Sequence, residues 1–485
     1  MKAIWAGNPR RWAGAAGIVA ALGLALLAWS ARAAAGGPPA ASPALAAPPA
    51  ISAPGPTQTS QAPAAPAPGS GLYLGPASCG SSSCHGSVRP RNLLNVRQDE
   101  FYIWEKKDLH AQSFSVLYND RSAAIARRLR LGAAAGSKIC LDCHALEVPA
   151  ARRQGALELE DGISCEACHG PASGWLEGHR SEEWTHRQSV TAGMLDLRNL
   201  EVRAAVCLGC HLGDGTRTVG HELIAAGHPE LSFELDNWSE AMPAHWLPFA
   251  ERRKDPEQPG DTHGVRAWAV GQVAGFRAAL GQIARRAGGA DGGYPELSVL
   301  VCDACHHALS EQRWQRSSAE GPPGLPRWSP SHFAVARHLI AEMAPERRHE
   351  IDAGIEELAR QLARLATPAV EVAATAERLG RLLDPLIPAF TTARWDDGRT
   401  GRLLLAVAEN DDALETADYQ SAKQAALAVQ TLVSQLAASD RRVLRAGLGA
   451  AAESLAAALQ DPYSFDPGRF AAELAALRRR LQELK

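Results

Sequence analysis

Beyond Cys305 the sequence has no cysteine, although the chain runs on to Lys485, and before it no cysteine stands outside a closely spaced pair. The first absence confines thiol chemistry to the N-terminal part, and the second leaves no odd thiol for an intermolecular bridge. An imbalance of charge is missing too. Fifty Lys and Arg face 53 Asp and Glu, the formal charge is −3 and the sequence pI is near 6.6, so charge alone calls for neither nucleic acid nor an anionic surface as partner. The cysteine-free tail shows no nucleophile–base pair, no phosphate-binding loop and no cluster of metal ligands. Its acidic stretches, "RWDDGRTGR" and "ENDDALE", read as solvated loops.

The chain begins "MKAIWAGNPRRWAGAAGIVAALGLALLAWSARAAA". Lys2, Arg10 and Arg11 form a positive n-region, residues 13 to 29 an apolar run, and Ala31-Arg32-Ala33 a small-x-small cleavage site, the pattern of a secretory signal peptide over residues 1–33. An uncleaved anchor is the alternative, because the apolar run sits at the short limit of a membrane span. Residues 34–70 are almost entirely Ala, Pro, Gly, Ser, Thr and Gln, a composition that buries no core and reads as a disordered tether. The expected location is periplasmic or otherwise exported, with a membrane tether through the N-terminus if the leader stays.

What the chain does have is one short pattern, five times. Cys79 and Cys84 are followed by His85; Cys140 and Cys143 by His144; Cys165 and Cys168 by His169; Cys207 and Cys210 by His211; Cys302 and Cys305 by His306. Cys-x-x-Cys-His is the attachment signature of c-type haem: both thiols bond the porphyrin as thioethers, which aims the adjacent imidazole at the iron. Zinc sites and disulfides also use paired cysteines, but neither requires histidine at the next position. Histidine is 16 of 485 residues, so five successes in five by chance have a probability below about one in ten million. The first motif is wide, with four residues between its thiols. Five c-type haems are therefore expected, the second and third adjacent because His144 and His169 are 25 residues apart.

Eleven further histidines are available as sixth ligands. His110 shares a helical face with Phe114 and Leu117. His179 follows Gly170, Pro171 and Gly174, which can turn the chain back toward a neighbouring iron. His221 and His228 lie seven apart in "GHELIAAGHPEL", on one helix face ended by Pro229, and can serve two different haems. His245, in "MPAHW", completes the set of candidates. His186 is a substitute for His179, His307 and His332 are alternates, and His338 and His349 read as residues of exposed helices. An iron closed by two histidines suits electron transfer, whereas an open one binds substrate.

The order of motifs, with "HAQSF" between the first two, "GISCEACHGPASGWLEGH" at the third and "CLGCH" followed by "GHELIAAGHPEL" at the fourth, resembles the cytochrome c-554 family of multihaem c-type cytochromes. The resemblance covers about residues 72–310 and implies electron transfer. It also implies distal ligation by His179 and His110, and one iron lacking a sixth ligand in the family's tetrahaem member. This sequence departs from it in having five sites, a widened first motif and a long tail, so that member's electron donor is not carried over. Cys-x-x-Cys-Lys, the catalytic motif of related multihaem reductases, does not occur.

Between sites four and five, Val265, Trp268, Val273, Phe276, Leu280 and Ile283 are spaced for an amphipathic helix ending at Gly288. From residue 331 onward, stripes at Ile351, Ile355, Leu358 and Leu362, at Leu427, Val429, Leu432 and Leu436, and at Phe470, Leu474, Leu477 and Leu481 predict packed antiparallel helices. Asp466 before Pro467 fits the cap of the last one. The expected fold is mainly α, with a multihaem cytochrome domain over 71–330, helices and loops around stacked haems, followed by a helical bundle over 331–485. The expected function is relay of electrons between redox partner proteins, more an electron carrier than a catalyst. The alternative is an oxidoreductase acting on a small nitrogen or sulfur compound at a five-coordinate haem.

Overall fold

The computed structural model describes residues 71–91, 96–215, 217–246, 263–289, 294–306, 325–364, 366–439, 443 and 447–483, all within one compact unit. The leader, the Ala/Pro-rich tether and His307 lie outside the described residues. Among those described there is no strand, only the isolated bridges Tyr73–Arg153 and Leu300–Trp328, so the fold is mainly α. None of the described helices is long and apolar enough to cross a membrane.

The described chain as far as Ala241 makes short helices separated by turns. They are α1 (Glu100–Lys107), α2 (Asp120–Arg128), α3 (Lys138–His144), α4 (Cys165–His169), α5 (His186–Thr191) and α6 (Leu200–His211), then α7 (His221–Ala225) and α8 (Leu235–Ala241). Their own apolar packing is modest. Phe114, Leu117, Ala126, Ala134, Leu141 and Ala145 form one small cluster, and Ile125, Leu223 and Ala226 another.

Two expected helices are shorter than their spacing suggests. His110 and Leu117 lie on two successive 3₁₀ turns, Leu109–Gln112 and Ser115–Tyr118, with Phe114 at the N-cap of the second, because Asp108 caps the first and the Ser113 hydroxyl donates to the His110 carbonyl. In "GHELIAAGHPEL" the helix ends at Ala225, not at Pro229. Gly227 takes φ +114°, and the His228 N–H donates to Leu223 O, a C-terminal motif open to glycine because that φ suits no side chain. The break turns His228 off the face that carries His221.

The long helix α9 (His263–Ala287) is buried on nearly all sides. Its six periodic apolar residues are buried as expected, but so are Ala267, Ala269, Val270, Ala274 and Gln272. The reason lies in the tail, which consists of α10 (Ala334–Met343), α11 (Pro345–Ala363), α12 (Ala369–Leu383), α13 (Leu386–Thr392), α14 (Asp397–Glu409), α15 (Tyr419–Ser439), α16 (Leu448–Ala457) and α17 (Pro467–Glu483). Helices α10, α12, α13 and α15 pack on α9, which meets α6 and α8 on its other side. A helix wrapped this way has no polar face to show. The apolar stripes of α11, α15 and α17 are all buried, and Asp466 caps α17 through the N–H groups of Gly468 and Arg469.

The acidic loops of the tail are built in rather than merely solvated. Asp396 caps α14 through Arg399 N–H, and the buried Glu415 carboxylate accepts from His338 Nε2 at 2.6 Å. His338 is thus half-buried and paired, while His349 is exposed as expected.

Phe276 of α9 stands 6.3 Å from Trp328 and 5.9 Å from Phe333, whose rings are 4.5 Å apart. This aromatic group joins α9 to the start of the tail. Phe276→Ala is expected to lower unfolding stability by about 3–5 kcal/mol, since the side chain is fully buried. Denaturant titration of the matured protein measures it; a loss below about 1 kcal/mol would show that the cluster contributes little.

Candidate haem-binding sites

In a helical turn, residues i, i+3 and i+4 share one face, so Cys-x-x-Cys-His on a helix presents two thiols and an imidazole to the same side. Three tight motifs are built so: the second ends α3, the third is α4 and the fourth ends α6. The fifth uses a 3₁₀ turn, Cys302–Ala304, with His306 N–H donating to Cys302 O at 2.8 Å. The wide first motif reaches the same arrangement by another route. Cys84 and Gly86 N–H both donate to Ser81 O, folding the extra residues into a turn, and His85 N–H returns to Cys79 O at 3.3 Å. A Cβ on Gly86 would come within 1.9 Å of Gly80 O, so this turn admits only glycine there.

Each of four attached histidines faces another imidazole from elsewhere in the chain. Ring centres are 6.2 Å apart for His85 and His179, 6.4 Å for His144 and His228, 6.1 Å for His211 and His110, and 5.9 Å for His306 and His221. Two imidazoles on opposite sides of one metal ion, each nitrogen about 2.0 Å from it and each ring centre about 1.1 Å further, are separated by about 6 Å. Plain aromatic packing spans the same range, so the protonation pattern of the rings matters as much as the distance.

Metal-bound histidines donate their second ring nitrogen to a carboxylate or carbonyl. Here His85 Nδ1 pairs with Glu100 at 3.0 Å and His110 Nδ1 with Asp108 at 2.9 Å. His144 Nδ1 meets Ser113 O at 2.8 Å, His179 Nδ1 meets Leu176 O at 2.5 Å, and His228 Nδ1 meets Pro229 O at 2.7 Å. In each case Nε2 is left for the iron. His186 and His338 are the reverse: their Nε2 atoms are tied to Asp196 and Glu415, which sets them apart from the ligand candidates. His332 lies at the start of the tail with its imidazole pushed by burial down to about 4, and no hydrogen bond from the described residues orients it.

His169 of the third site has His245 as the first charge acting on it, after burial, and burial holds it down to about 4. His211 is likewise held at about 4 by burial. Both are thus neutral imidazoles, the form that binds metal. His245 is kept low by burial, donates Nδ1 toward Pro243 O at 3.3 Å and packs its ring on Trp246 at 5.0 Å. The Glu100 and Asp108 carboxylates instead raise His85 and His110, as partners that increase ligand basicity do.

The sites lie close to one another. The thiols of Cys79 and Cys165 perturb each other's acidity, as do those of Cys143 and Cys210, which puts site one near three and two near four. Cys168 feels the charges of Cys207 and Cys210, placing site three beside four. Sites two and three, expected to adjoin, are tied by Leu146 N–H to Gly162 O at 2.9 Å. Among the described residues no two cysteines are joined in a disulfide, and no three His, Cys, Asp or Glu side chains converge as a zinc set would.

Several residues that hold these sites carry no sequence signal of their own. Glu166, one of the two variable positions of the third motif, is only 2 % exposed; its carboxylate accepts from the N–H groups of Leu74, Gly75 and Ala172 at 2.7–3.0 Å. It pins the lead-in to site one onto site three. Arg121 and Arg128 donate to the carbonyls of Gly227 and Ala226, clamping the turn that presents His228. A charged residue inside an attachment motif was the one visible hint, and its target was not.

The residues present fit c-type haem, which supplies one-electron Fe(III)/Fe(II) chemistry when bound. The fold and sites together define a helical, haem-containing electron-transfer protein. Residues 79–170, spanning the first three motifs, match the family described as cytochrome c554 and c-prime. Over that span the chain is similar to that family, and the match supports a cytochrome c-554-like, haem-binding segment there. No curated protein and no solved structure matches it.

His179→Gly is expected to convert one low-spin iron of the matured protein to high spin, with added imidazole restoring the low-spin signal. Low-temperature EPR checks this. An unchanged spectrum would remove His179 from the ligand set.

Proposed function

We propose that the chain is an exported pentahaem c-type cytochrome that relays single electrons between redox partner proteins. The observation that carries this reading is the set of facing imidazoles 5.9–6.4 Å apart, one from an attachment motif and one from elsewhere. His85, His144, His169, His211 and His306 are the proximal ligands, with His179, His228, His245, His110 and His221 their respective partners. Two imidazoles on each iron leave no position for substrate, which favours a carrier over an enzyme.

The contacts between sites support the order one, three, four, two, five. The mutual influence of the thiols of Cys79 and Cys165, of Cys168 with Cys207 and Cys210, and of Cys143 and Cys210 supports the first four places. Site five follows two because their distal ligands, His221 and His228, are separated only by α7 and the turn after it. Cys302 and Cys305 are exposed while the other eight cysteines are half-buried, which suits a terminal site at the surface. The positive n-region, apolar run and small-x-small site of residues 1–33 support export, as does thioether attachment itself, which takes place outside the cytoplasm.

Intact mass of the matured protein tests the count. Five additions of about 616 Da each, about 3,080 Da in all, are expected, together with loss of residues 1–33 if the leader is cleaved. Four additions, with the peptide of Cys79 and Cys84 unmodified, would contradict a haem at the wide site.

A further inference from the structure

Helix α15 buries polar side chains along one face: Lys423 is 3 %, Gln424 5 % and Thr431 2 % exposed. Burying such groups is costly when they find no partner, so a helix of the tail gains nothing from them by itself. Apart from Gln272 of α9, their partners lie on one segment of the haem-binding half, from His228 to Trp238. Gln420 Nε2 donates to Glu230 at 2.9 Å, and Gln424 Nε2 to Phe233 O at 3.0 Å. The Lys423 ammonium sits over the Trp238 ring at 5.3 Å. Thr431 donates to Asp236 at 2.7 Å and accepts from Asn237 Nδ2 at 3.0 Å, and Gln272 of α9 donates to Gln424 Oε1 at 3.0 Å.

That segment touches two haem sites. It begins at His228, which faces His144, and the Phe233 ring stacks on His211 at 5.3 Å and 27°. The spacing 420, 423, 424, 427 and 431 keeps all these groups on one side of α15, where Leu427 O also receives the Asn237 amide. This interleaving of polar with apolar positions is why the stripe at Leu427, Val429, Leu432 and Leu436 is irregular.

We propose that Lys423 and Gln424 are positioning residues: through the 228–238 segment, α15 fixes the axial imidazole of site two and the ring stacked on the ligand of site four, and so sets the reduction potentials of those two haems. The proposal rests on His228 being a ligand, as argued above. Haem ligands respond to the groups that orient them, and potential responds to ligand orientation and local polarity.

The test uses the full matured chain carrying Gln424→Leu, Lys423→Met or Gln420→Leu, with His228→Ala for reference and Lys423→Arg as the conservative variant. Ferric EPR and a spectroelectrochemical titration are read alongside haem mass and circular dichroism. Gln424→Leu and Lys423→Met are expected to keep all haems and the helical signal while changing the Fe(III)/Fe(II) ratio of one or two haems about tenfold at fixed potential, a midpoint shift of about 59 mV. Lys423→Arg is expected to stay within about twofold. Gln420→Leu, at the less buried end, is expected to give a smaller shift confined to the same one or two haems. If His228→Ala leaves every low-spin signal unchanged, the ligand reading itself fails. If His228→Ala opens one iron but the α15 variants leave all potentials in place, or move every haem equally, the positioning role is overturned.

Discussion

The proposed haem sites depend on one geometric requirement, seen at four of the five motifs: a histidine fixed immediately after a thiol pair meets a second imidazole, brought from elsewhere in the chain, about 6 Å away. Each half of such a pair has a different origin. The attached half is local, because a helical turn places residues i, i+3 and i+4 together and needs no help from the fold. The distal half is tertiary. His179 reaches His85 from 94 positions further on, and His110 reaches His211 from 101 positions before it. Much of the haem-binding half can be understood as the means of delivery for these second rings.

That explains the unusual economy of this half. Its helices are short, its two apolar clusters are small, and its turns are fixed by individual hydrogen bonds such as Asp108 to His110 and Glu166 to the backbone of residues 74, 75 and 172. Porphyrin faces are the natural apolar filling for such a shell. The tail is the opposite case, with ordinary buried Leu, Ile and Phe stripes and a fully wrapped central helix. The two meet through α9 and α15, so the tail acts as a foundation for the distal ligands as well as a bundle in its own right.

How much of this could be read from the sequence follows from the same division. The ten cysteines and five adjacent histidines stand out in the sequence because the spacing of a haem-attachment motif is fixed by its chemistry. The helical stripes of the tail were legible because each buries a face at a 3.6-residue period. His110, His179, His221, His228 and His245 stood out as candidates, but which faced which was not in the spacing: Gly227, at φ +114°, sends His228 to site two while His221 faces site five. The helix read through His110 is a pair of 3₁₀ turns because local Asp and Ser caps outcompete the periodicity. Glu166, Gln424 and Lys423 act across 90 to 190 residues, and no local pattern announces such a partner.

A structure of the matured protein at a resolution that shows each iron would test the central claim most directly. The account places iron within about 2 Å of Nε2 of both His85 and His179, and likewise between His144 and His228, His169 and His245, His211 and His110, and His306 and His221. Iron bound on the attached side only, or closed by a residue outside these five pairings, would contradict it.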